Sequence, residues 1–321
     1  MVYKNLYIIG NGFDIHHGIK CGFGDFKEWL KKNDIVFLKN LTQVYENAWE
    51  NNWWKDFENN LAQLNISYYT YVIGNLCDPE YLNVGSLEEK TEYAYHKVKE
   101  EFSVINNSLR ADFQKWLDEA YRMCNKEKKL QLLGENSIFL SFNYTKTLED
   151  IYGIDSRQIC HIHGVIDKKD SMIVGHGLGF TELNDIHERQ KPRVLGDVRN
   201  PRFNLLSKLQ LAVPRHIELA TQKSKESILS LRKDVEGCIE KNNRFFEDIL
   251  DVQRIFVYGF SFSPIDTPYL EKIIRRTSPE THWIISWFSY EDKRRIMDFV
   301  TKYNIQNITI IKGVKYLDIK I

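Results

Sequence analysis

Apolar residues open the chain as a short run from Leu6 to Ile9, which leads directly into the glycine-containing segment 10–14. This pattern predicts a buried strand that ends in a tight turn. A helix is expected to follow over residues 25–32, with Asp25 as its N-cap.

Large apolar side chains then recur every three or four positions, from residue 42 to 64 and again from residue 87 to 124. Such spacing is typical of the buried face of a helix. We interpret this part of the chain, approximately residues 41–130, as a helical insertion.

Short apolar runs return beyond residue 134 and alternate with helical patterns. Strands are expected at 137–142, 158–163, 172–174, 254–258, 282–288 and 308–311, and helices at 145–152, 267–276 and 291–302. The polar, helix-rich segment 181–250 is interpreted as a second insertion. Strands that alternate with helices predict a mostly parallel sheet covered on both faces. We therefore expect an α/β fold in which residues 1–321 form a single domain with two helical insertions.

The chain carries no net charge, because its 44 Lys and Arg residues balance 44 Asp and Glu residues. A global positive field that would draw the protein onto nucleic acid is therefore excluded, although a local basic patch is not. Nucleic acid is not expected as a partner. No apolar run approaches the roughly 18 residues that a membrane span needs, and no secretory signal is evident. We expect a cytoplasmic protein without a membrane partner.

The five cysteines are widely scattered and include no C-x-x-C pair. This spacing argues against a disulfide framework and against a thiolate zinc site.

Gly10 and Gly12 follow the first predicted strand, where glycine lets the backbone turn tightly and approach a pyrophosphate. Many steric turns contain the same pair, and the dinucleotide fingerprint lacks its third glycine here. This motif alone is compatible both with a nucleotide-binding loop and with a turn that needs glycine for steric reasons.

Polar residues also follow the next two predicted strands. Asn143 can meet a substrate ribose or hold a water, or it can cap the following helix. His161 and His163 would share one face of a strand, because side chains alternate with period two. Such a pair can bind a metal, or one histidine can act as a general base while the other is structural.

The strand at 254–258 breaks at Gly259 and passes through hydroxyl residues into a helix, whose N-terminus could receive a phosphate or ribose. Alternatively, Ser263 and Asp266 are ordinary helix caps. Four strand ends of this character together favour a nucleotide site.

Five segments, taken in order, resemble the AbiH family of bacterial phage abortive-infection proteins. They are residues 6–19 (LYIIGNGFDIHHGI), 54–58, 142–145, 161–164 and 258–261. The same motifs are similar to the NAD site of sirtuins. The resemblance therefore implies a Rossmann-like, sirtuin-type fold with NAD or a related nucleotide as substrate.

The sirtuin resemblance also implies a role for each matching residue. According to this resemblance, Asn143 lies beside the nicotinamide ribose and His163 is the catalytic histidine. Asp14 occupies a position where sirtuins usually have serine. The residues implied to bind the nucleotide are Gly10, Asn11, Gly12, Phe13, Asp25, Gly259 and Ser261.

Sirtuins follow the histidine–glycine motif with a four-cysteine zinc module, whereas residues 164–250 contain only Cys238. Defence effectors with sirtuin-like domains also lack this module. The resemblance therefore implies hydrolysis of NAD rather than protein deacylation, and no metal is expected. Our hypothesis is that His163 accepts a proton from a ribose hydroxyl, that Asn143 orients ribose and water, and that Asp14 stabilises developing positive charge.

Two other functions stay open. A metal-dependent hydrolase or nuclease could use His161, His163 and His176 as ligands, since imidazole suits zinc, manganese or iron. A non-catalytic module could bind a nucleotide, or bind a partner through its long helices. A defence toxin must be silent without infection, so we expect a resting homo-oligomer or an inhibitory contact, together with a phage-derived trigger.

Overall fold

A computed structural model describes residues 2–63, 65, 86–130, 136–168, 171–179, 182–183, 226 and 228–313. Grouped by their internal contacts, the residues fall into two units. The first unit comprises residues 1–26, 113–174 and 234–321, and the second comprises residues 27–112 and 175–233.

A six-stranded sheet forms the centre of the first unit. Its strands are β1 Asn5–Ile9, β2 Ser137–Ser141, β3 Ile159–His161, β4 Arg254–Tyr258, β5 His282–Trp287 and β6 Ile308–Lys312. All neighbouring strands are parallel, in the order β3-β2-β1-β4-β5-β6. This is the order of the doubly wound Rossmann fold, in which the direction of winding reverses between β1 and β4. The predicted α/β class and the mostly parallel sheet are confirmed.

The middle residues of the central strands are apolar on both sides because both faces of the sheet are covered. All five residues of β1 are buried. Side chains alternate along the strand, so Leu6 and Ile8 enter one hydrophobic layer and Tyr7 enters the other. The ring of Tyr7 stacks against Phe139 of β2 and Phe256 of β4, with centroids 5.0 and 4.7 Å away.

Eleven helices lie within the described residues. They are α1 Asn11–His16, α2 Phe23–Asn33, α3 Ile35–Val44, α4 Asn51–Lys55, α5 Phe57–Asn60, α6 Leu87–Arg122, α7 Thr147–Tyr152, α8 Val235–Lys241, α9 Asn243–Asp248, α10 Thr267–Arg276 and α11 Tyr290–Lys302. Short 3-10 helices cover Ser156–Gln158 and Pro264–Asp266. In the described part of the chain, no helix is both long and apolar enough to cross a membrane.

Helices cover the two faces of the sheet with different layers of side chains. Phe13 of α1 and Leu148 of α7 belong to the layer that contains Tyr7. Phe246 of α9, Leu270 of α10 and Ile296 of α11 belong to the opposite layer. The helix α9 lies at the end of the predicted 181–250 insertion, whose residues 181, 184–225 and 227 lie outside the described residues.

The long helix expected over 87–124 is confirmed as α6, whereas the single helix expected over 42–64 is wrong. The chain leaves helical geometry after α3, and Asn47 adopts a left-handed conformation at φ 59° that a continuous helix does not allow. The apolar spacing reflects a small aromatic core in the second unit, where Trp54 stacks on Phe57 at 5.3 Å. Leu64 lies outside the described residues.

Two shorter predictions also differ from the structure. The segment 172–174 is not a strand. Asp25 is not an N-cap, because α2 begins two residues earlier, at Phe23. Asp25 therefore lies in the first helical turn, and its carboxylate accepts a hydrogen bond from the backbone N–H of Gly22 at 3.2 Å.

The turns that follow β1 and β4 touch backbone to backbone at the reversal of winding. The N–H of Gly12 donates to the carbonyl oxygen of Gly259 at 2.9 Å. Gly259 has a left-handed φ of 61°, and a Cβ there would lie 2.5 Å from the backbone nitrogen of Phe13. Only glycine satisfies both requirements at this position.

We expect Gly259→Ala to destabilise the protein far more than Gly153→Ala. Gly153 has a similar φ of 68°, but a Cβ at this position would meet nothing within 4 Å, so it isolates the cost of the left-handed backbone. That cost is about 1 kcal/mol, and overpacking at Gly259 should add about 2 kcal/mol. Urea unfolding of both variants measures the difference, and equal losses would contradict the close approach.

Candidate functional site

The carboxyl ends of four neighbouring strands meet at one edge of the sheet. The strand register pairs Ile9 with both Ser141 and Tyr258, and it pairs Ser141 with His161. The four strand-end motifs of the sequence are therefore adjacent in space. Ligands of open parallel sheets bind outside this edge, at the reversal of winding.

The glycines after β1 are explained by the packing of this edge. A Cβ at Gly10 would lie 2.5 Å from the carbonyl oxygen of Gly259. The N–H groups of Gly10, Gly12 and Phe13 donate to the carbonyl oxygens of Tyr258, Gly259 and Gly10, each at 2.9 Å. These three amides are therefore engaged within the protein, and a nucleotide at this edge would depend on other groups.

Asn143 joins the end of β2 to the turn after β1. Its side chain is buried, and its Nδ2 donates to the carbonyl oxygen of Gly10 at 3.1 Å. The following helix, α7, has Lys146 at its N-cap position, so Asn143 is not a helix cap. The carboxamide is instead fixed at the edge of the sheet.

Asp14 on α1 is a buried carboxylate that is only 1% exposed. Its two oxygens accept hydrogen bonds from the hydroxyls of Thr145 at 2.6 Å and Thr147 at 2.8 Å. Burial raises the pKa of Asp14 to about 6, and the hydrogen bonds from Thr145, Thr147 and Asn143 partly oppose the rise. The carboxylate therefore titrates close to neutral pH.

His161 ends β3 and is held by two partners. Its Nε2 lies 2.9 Å from Oε1 of Glu149 on α7, and its Nδ1 lies 3.3 Å from the carbonyl oxygen of Asn143. Both ring nitrogens therefore have hydrogen-bond partners within the protein.

His163 lies beyond the end of the strand, so the expectation that it shares a strand face with His161 is wrong. Its side chain is buried at 2% exposure, and its ring meets those of Phe142 and Tyr269 at 5.4 and 5.7 Å. Nε2 of His163 lies 3.6 Å from Oδ1 of Asp266. A buried imidazole thus faces a buried carboxylate in an aromatic surrounding.

Asp266 is the member of this arrangement that the strand-end motifs did not assign to the site. Ser263 and Asp266 occupy the N-cap positions of the 3-10 helix and of α10, as the helix-cap interpretation predicts, but neither side chain accepts a capping hydrogen bond. Asp266 is buried and directs its carboxylate toward His163 instead. The signal in the sequence that could have identified Asp266 is an acidic residue directly before a helix at this edge of the sheet.

The remaining nucleotide-binding candidates have more local contacts. Asn11 donates through Nδ2 to the carbonyl oxygen of Cys21 at 3.0 Å. Asp25 is exposed and bonded to Gly22, and Ser261 is exposed with its carbonyl oxygen 3.5 Å from Nη1 of Arg295. The structure brings Asn143 and Asp14 together, and it pairs His163 with Asp266. The ring of His163 meets those of Phe142 and Tyr144, the residues on either side of Asn143 in the chain, at 5.4 and 6.3 Å. None of the described hydrogen bonds joins Asn11, Asp25 or Ser261 to either pair.

The three histidines proposed as metal ligands have protein partners of their own. In the second unit, His176 has Nε2 3.0 Å from the carbonyl oxygen of Ile228, and its Nδ1 accepts from the N–H of Leu178 at 3.2 Å. Across the described ranges, no group of three His, Cys, Asp or Glu side chains is arranged to hold a metal ion.

The strand order and the polar edge at its reversal define a Rossmann-like α/β protein. A family model described as bacteriophage abortive infection AbiH matches residues 6–287. The chain therefore belongs to the AbiH family, which associates it with abortive-infection defence against phage, and this part of the predicted resemblance is confirmed. No curated protein matches the chain.

We expect Asp14→Asn to stabilise the protein at high pH but not at low pH. The folded-state pKa of about 6 lies above the ordinary value of 3.8, so folding favours the protonated carboxyl. That contribution is complete below about pH 4 and is lost as the pH rises through 6, at a total cost of about 3 kcal/mol. The variant should therefore exceed the wild type by up to this amount at pH 8 and match it near pH 4.

Urea unfolding at both pH values measures this difference. Asp298→Asn, on the exposed side of α11, controls for the removal of one negative charge. A stability gain of the Asp14 variant that does not change with pH would contradict burial as the cause.

Proposed function

We propose that this protein acts in defence by hydrolysing NAD, or a related ADP-ribosyl nucleotide, to ADP-ribose and nicotinamide. One observation carries most of the weight: the buried imidazole of His163 faces the buried carboxylate of Asp266. The ring of His163 packs against those of Phe142 and Tyr144, on either side of Asn143 in the chain, at the sheet edge where Rossmann-like proteins bind nucleotides.

The reaction breaks the bond between C1′ of the ribose and the nicotinamide nitrogen. Nicotinamide leaves with the bonding electron pair, and positive charge develops on the ribose. Water then adds its oxygen to C1′ and releases one proton. The protein must stabilise the positive charge and accept the proton, and both tasks suit the groups at this edge.

His163 is suited to accept the proton from a ribose hydroxyl or from the attacking water. The carboxylate of Asp266 would orient the ring and stabilise the imidazolium that forms. Their separation of 3.6 Å permits electrostatic stabilisation, and catalytic hydrogen bonds often shorten when substrate binds. The surrounding rings of Phe142 and Tyr269 would exclude water and strengthen the interaction.

Asn143 is suited to contact the ribose through its carboxamide oxygen. One amide hydrogen is directed to the carbonyl oxygen of Gly10, and the side chain also hydrogen-bonds Asp14. These contacts fix the orientation of the amide. Above pH 6 the ionised Asp14 would add negative potential near the developing positive charge.

Membership of the AbiH family supports the defence context of this activity. Loss of NAD would stop the metabolism on which phage replication depends. A phage-derived trigger and a resting homo-oligomer remain part of the proposal, since a constitutive NAD hydrolase would harm its own cell.

We expect His163→Ala and Asn143→Ala to lose nicotinamide release from NAD. Loss of a general base should lower kcat by about a hundred- to ten-thousand-fold. His282→Ala is the matched control, because His282 begins β5 at the opposite end of the sheet, where its Nε2 contacts Oγ1 of Thr309 at 2.8 Å. Release of nicotinamide by each purified variant, with and without a chelator, provides the measurement.

Full turnover by His163→Ala would refute the assignment. Chelator-sensitive cleavage of nucleic acid would favour the metal-dependent hydrolase instead. Nucleotide binding that survives His163→Ala, without turnover even in extracts of infected cells, would favour a non-catalytic module.

We expect Asp266→Asn to lower kcat by about ten- to a hundredfold while KM changes little, because Asp266 acts through His163 rather than on the substrate. Asp266→Glu should recover part of the loss, since it restores the negative charge. Steady-state kinetics on NAD measures both constants. A raised KM with unchanged kcat would show that Asp266 contacts the substrate directly.

A further inference from the structure

An exposed surface of aromatic and basic side chains lies beside the carboxyl ends of β5 and β6. We call it the aromatic–basic surface, and it consists of Trp287, Phe288, Tyr290, Lys293 and Lys312. Phe288 is 46% exposed and Tyr290 is 82% exposed, values that are high for large aromatic residues. None of the functions considered above uses these side chains.

Trp287 holds the two lysines of the surface in place. Nζ of Lys293 lies 5.2 Å from the centroid of the indole ring, and Nζ of Lys312 lies 5.3 Å from it. These are cation–π distances. Within the described part of the chain, neither lysine forms a salt bridge. Two ordered cations are therefore available to an external anion.

The nearby carboxylates on α11 are engaged with local partners. Glu291 lies 2.9 Å from Arg295, and Asp298 lies 4.0 Å from Arg294. The carboxylate of Asp292 accepts the backbone N–H of Ser289 in the helix cap. These pairs leave the positive charge of the surface concentrated at Lys293 and Lys312.

We infer that the aromatic–basic surface binds single-stranded nucleic acid, with bases stacked on Phe288 and Tyr290 and phosphates at Lys293 and Lys312. Unpaired bases have free faces that stack on exposed aromatic rings, and the lysines over the neighbouring indole ring of Trp287 can neutralise the phosphates of the same strand. A duplex keeps its base faces stacked inside and cannot use the two rings. An acidic peptide would match the lysines but not the rings. The chain has no net charge, so this attraction is local.

A bound strand would lie next to the loop that follows β4. The ring of Phe288 packs edge-on against Tyr258, the last residue of β4, at 5.5 Å. On the same side, Nη1 of Arg295 lies 3.5 Å from the carbonyl oxygen of Ser261. The surface is therefore continuous with the loop of Gly259 and Ser261, although its proposed ligand does not depend on NAD hydrolysis.

Fluorescence anisotropy of a labelled oligothymidylate of about 20 nucleotides, titrated with the full chain, tests this inference. Phe288→Ala and Tyr290→Ala should each weaken binding at least about fivefold, the loss expected for one stacked base. For two phosphate contacts, the slope of log K against log salt should be about −1.4. The slope should approach zero in the double variant Lys293→Gln and Lys312→Gln.

Lys302→Gln provides the matched control, because Lys302 also lies over an aromatic ring, that of Tyr303 at 4.8 Å, but at the far end of α11. It should bind the oligonucleotide like the wild type. All replaced side chains are exposed or half-buried, and unchanged melting temperatures would confirm that the variants fold.

Three outcomes would overturn the inference. One is the absence of binding at low salt, and another is binding that neither set of substitutions changes. The third is equal affinity for a duplex of the same length or for polyglutamate, because either ligand would show that base stacking contributes nothing.

Discussion

The backbones of Gly12 and Gly259 touch where the winding of the sheet reverses, and both halves of the candidate site depend on that contact. The strands β2 and β4 flank β1, so the turn after β1 has neighbours on both sides. The contact fixes this turn and therefore the start of α1, which carries Asp14. On the other side it fixes the start of the loop that leads to Asp266. A side chain at either glycine would separate the turns, since its Cβ would lie within 2.7 Å of backbone atoms.

Two buried carboxylates at this edge of the sheet have partners of different chemistry. Asp14 is bonded to hydroxyls that carry no charge, so the cost of burial prevails and its pKa rises to about 6. Asp266 faces an imidazole that can take a positive charge. Buried polar groups of this kind cost stability, and they cluster where a protein binds or transforms a ligand. Their position at the reversal of winding is what favours a nucleotide among possible ligands.

Family membership and site chemistry answer different questions about this protein. The AbiH match identifies its biological context as abortive infection. The fold alone does not select a reaction, because Rossmann-like sheets support many, so the reaction must be argued from particular side chains. The pair of His163 and Asp266 is the basis of the proposed hydrolysis of a nucleotide, and the exposed rings and lysines beside β5 and β6 are the basis of the inferred recognition of a nucleic acid. A nucleotide-consuming site beside a nucleic-acid surface would suit a protein that must detect infection before it acts.

The sequence by itself determined the sheet and most of the elements that cover it. The strand at 254–258 and the helix at 267–276 lie as predicted, and the other strands except 172–174 differ by one to three residues, because long apolar runs and amphipathic spacing are local signals. It also identified the polar strand ends. Since the carboxyl ends of parallel strands share one edge, those residues had to be neighbours once the sheet formed.

Only the tertiary structure decided which of these residues act together. The apolar spacing over 42–64 gave no indication that the helical conformation is interrupted at Asn47, because an aromatic core can produce the same spacing with shorter helices. The alternation rule failed for His163 because β3 ends two residues earlier. Asp266 is 103 positions from His163 in sequence, and no local pattern connects them. Their meeting required the crossover that sets β4 beside β1, since contacts between distant segments arise from the order of the strands.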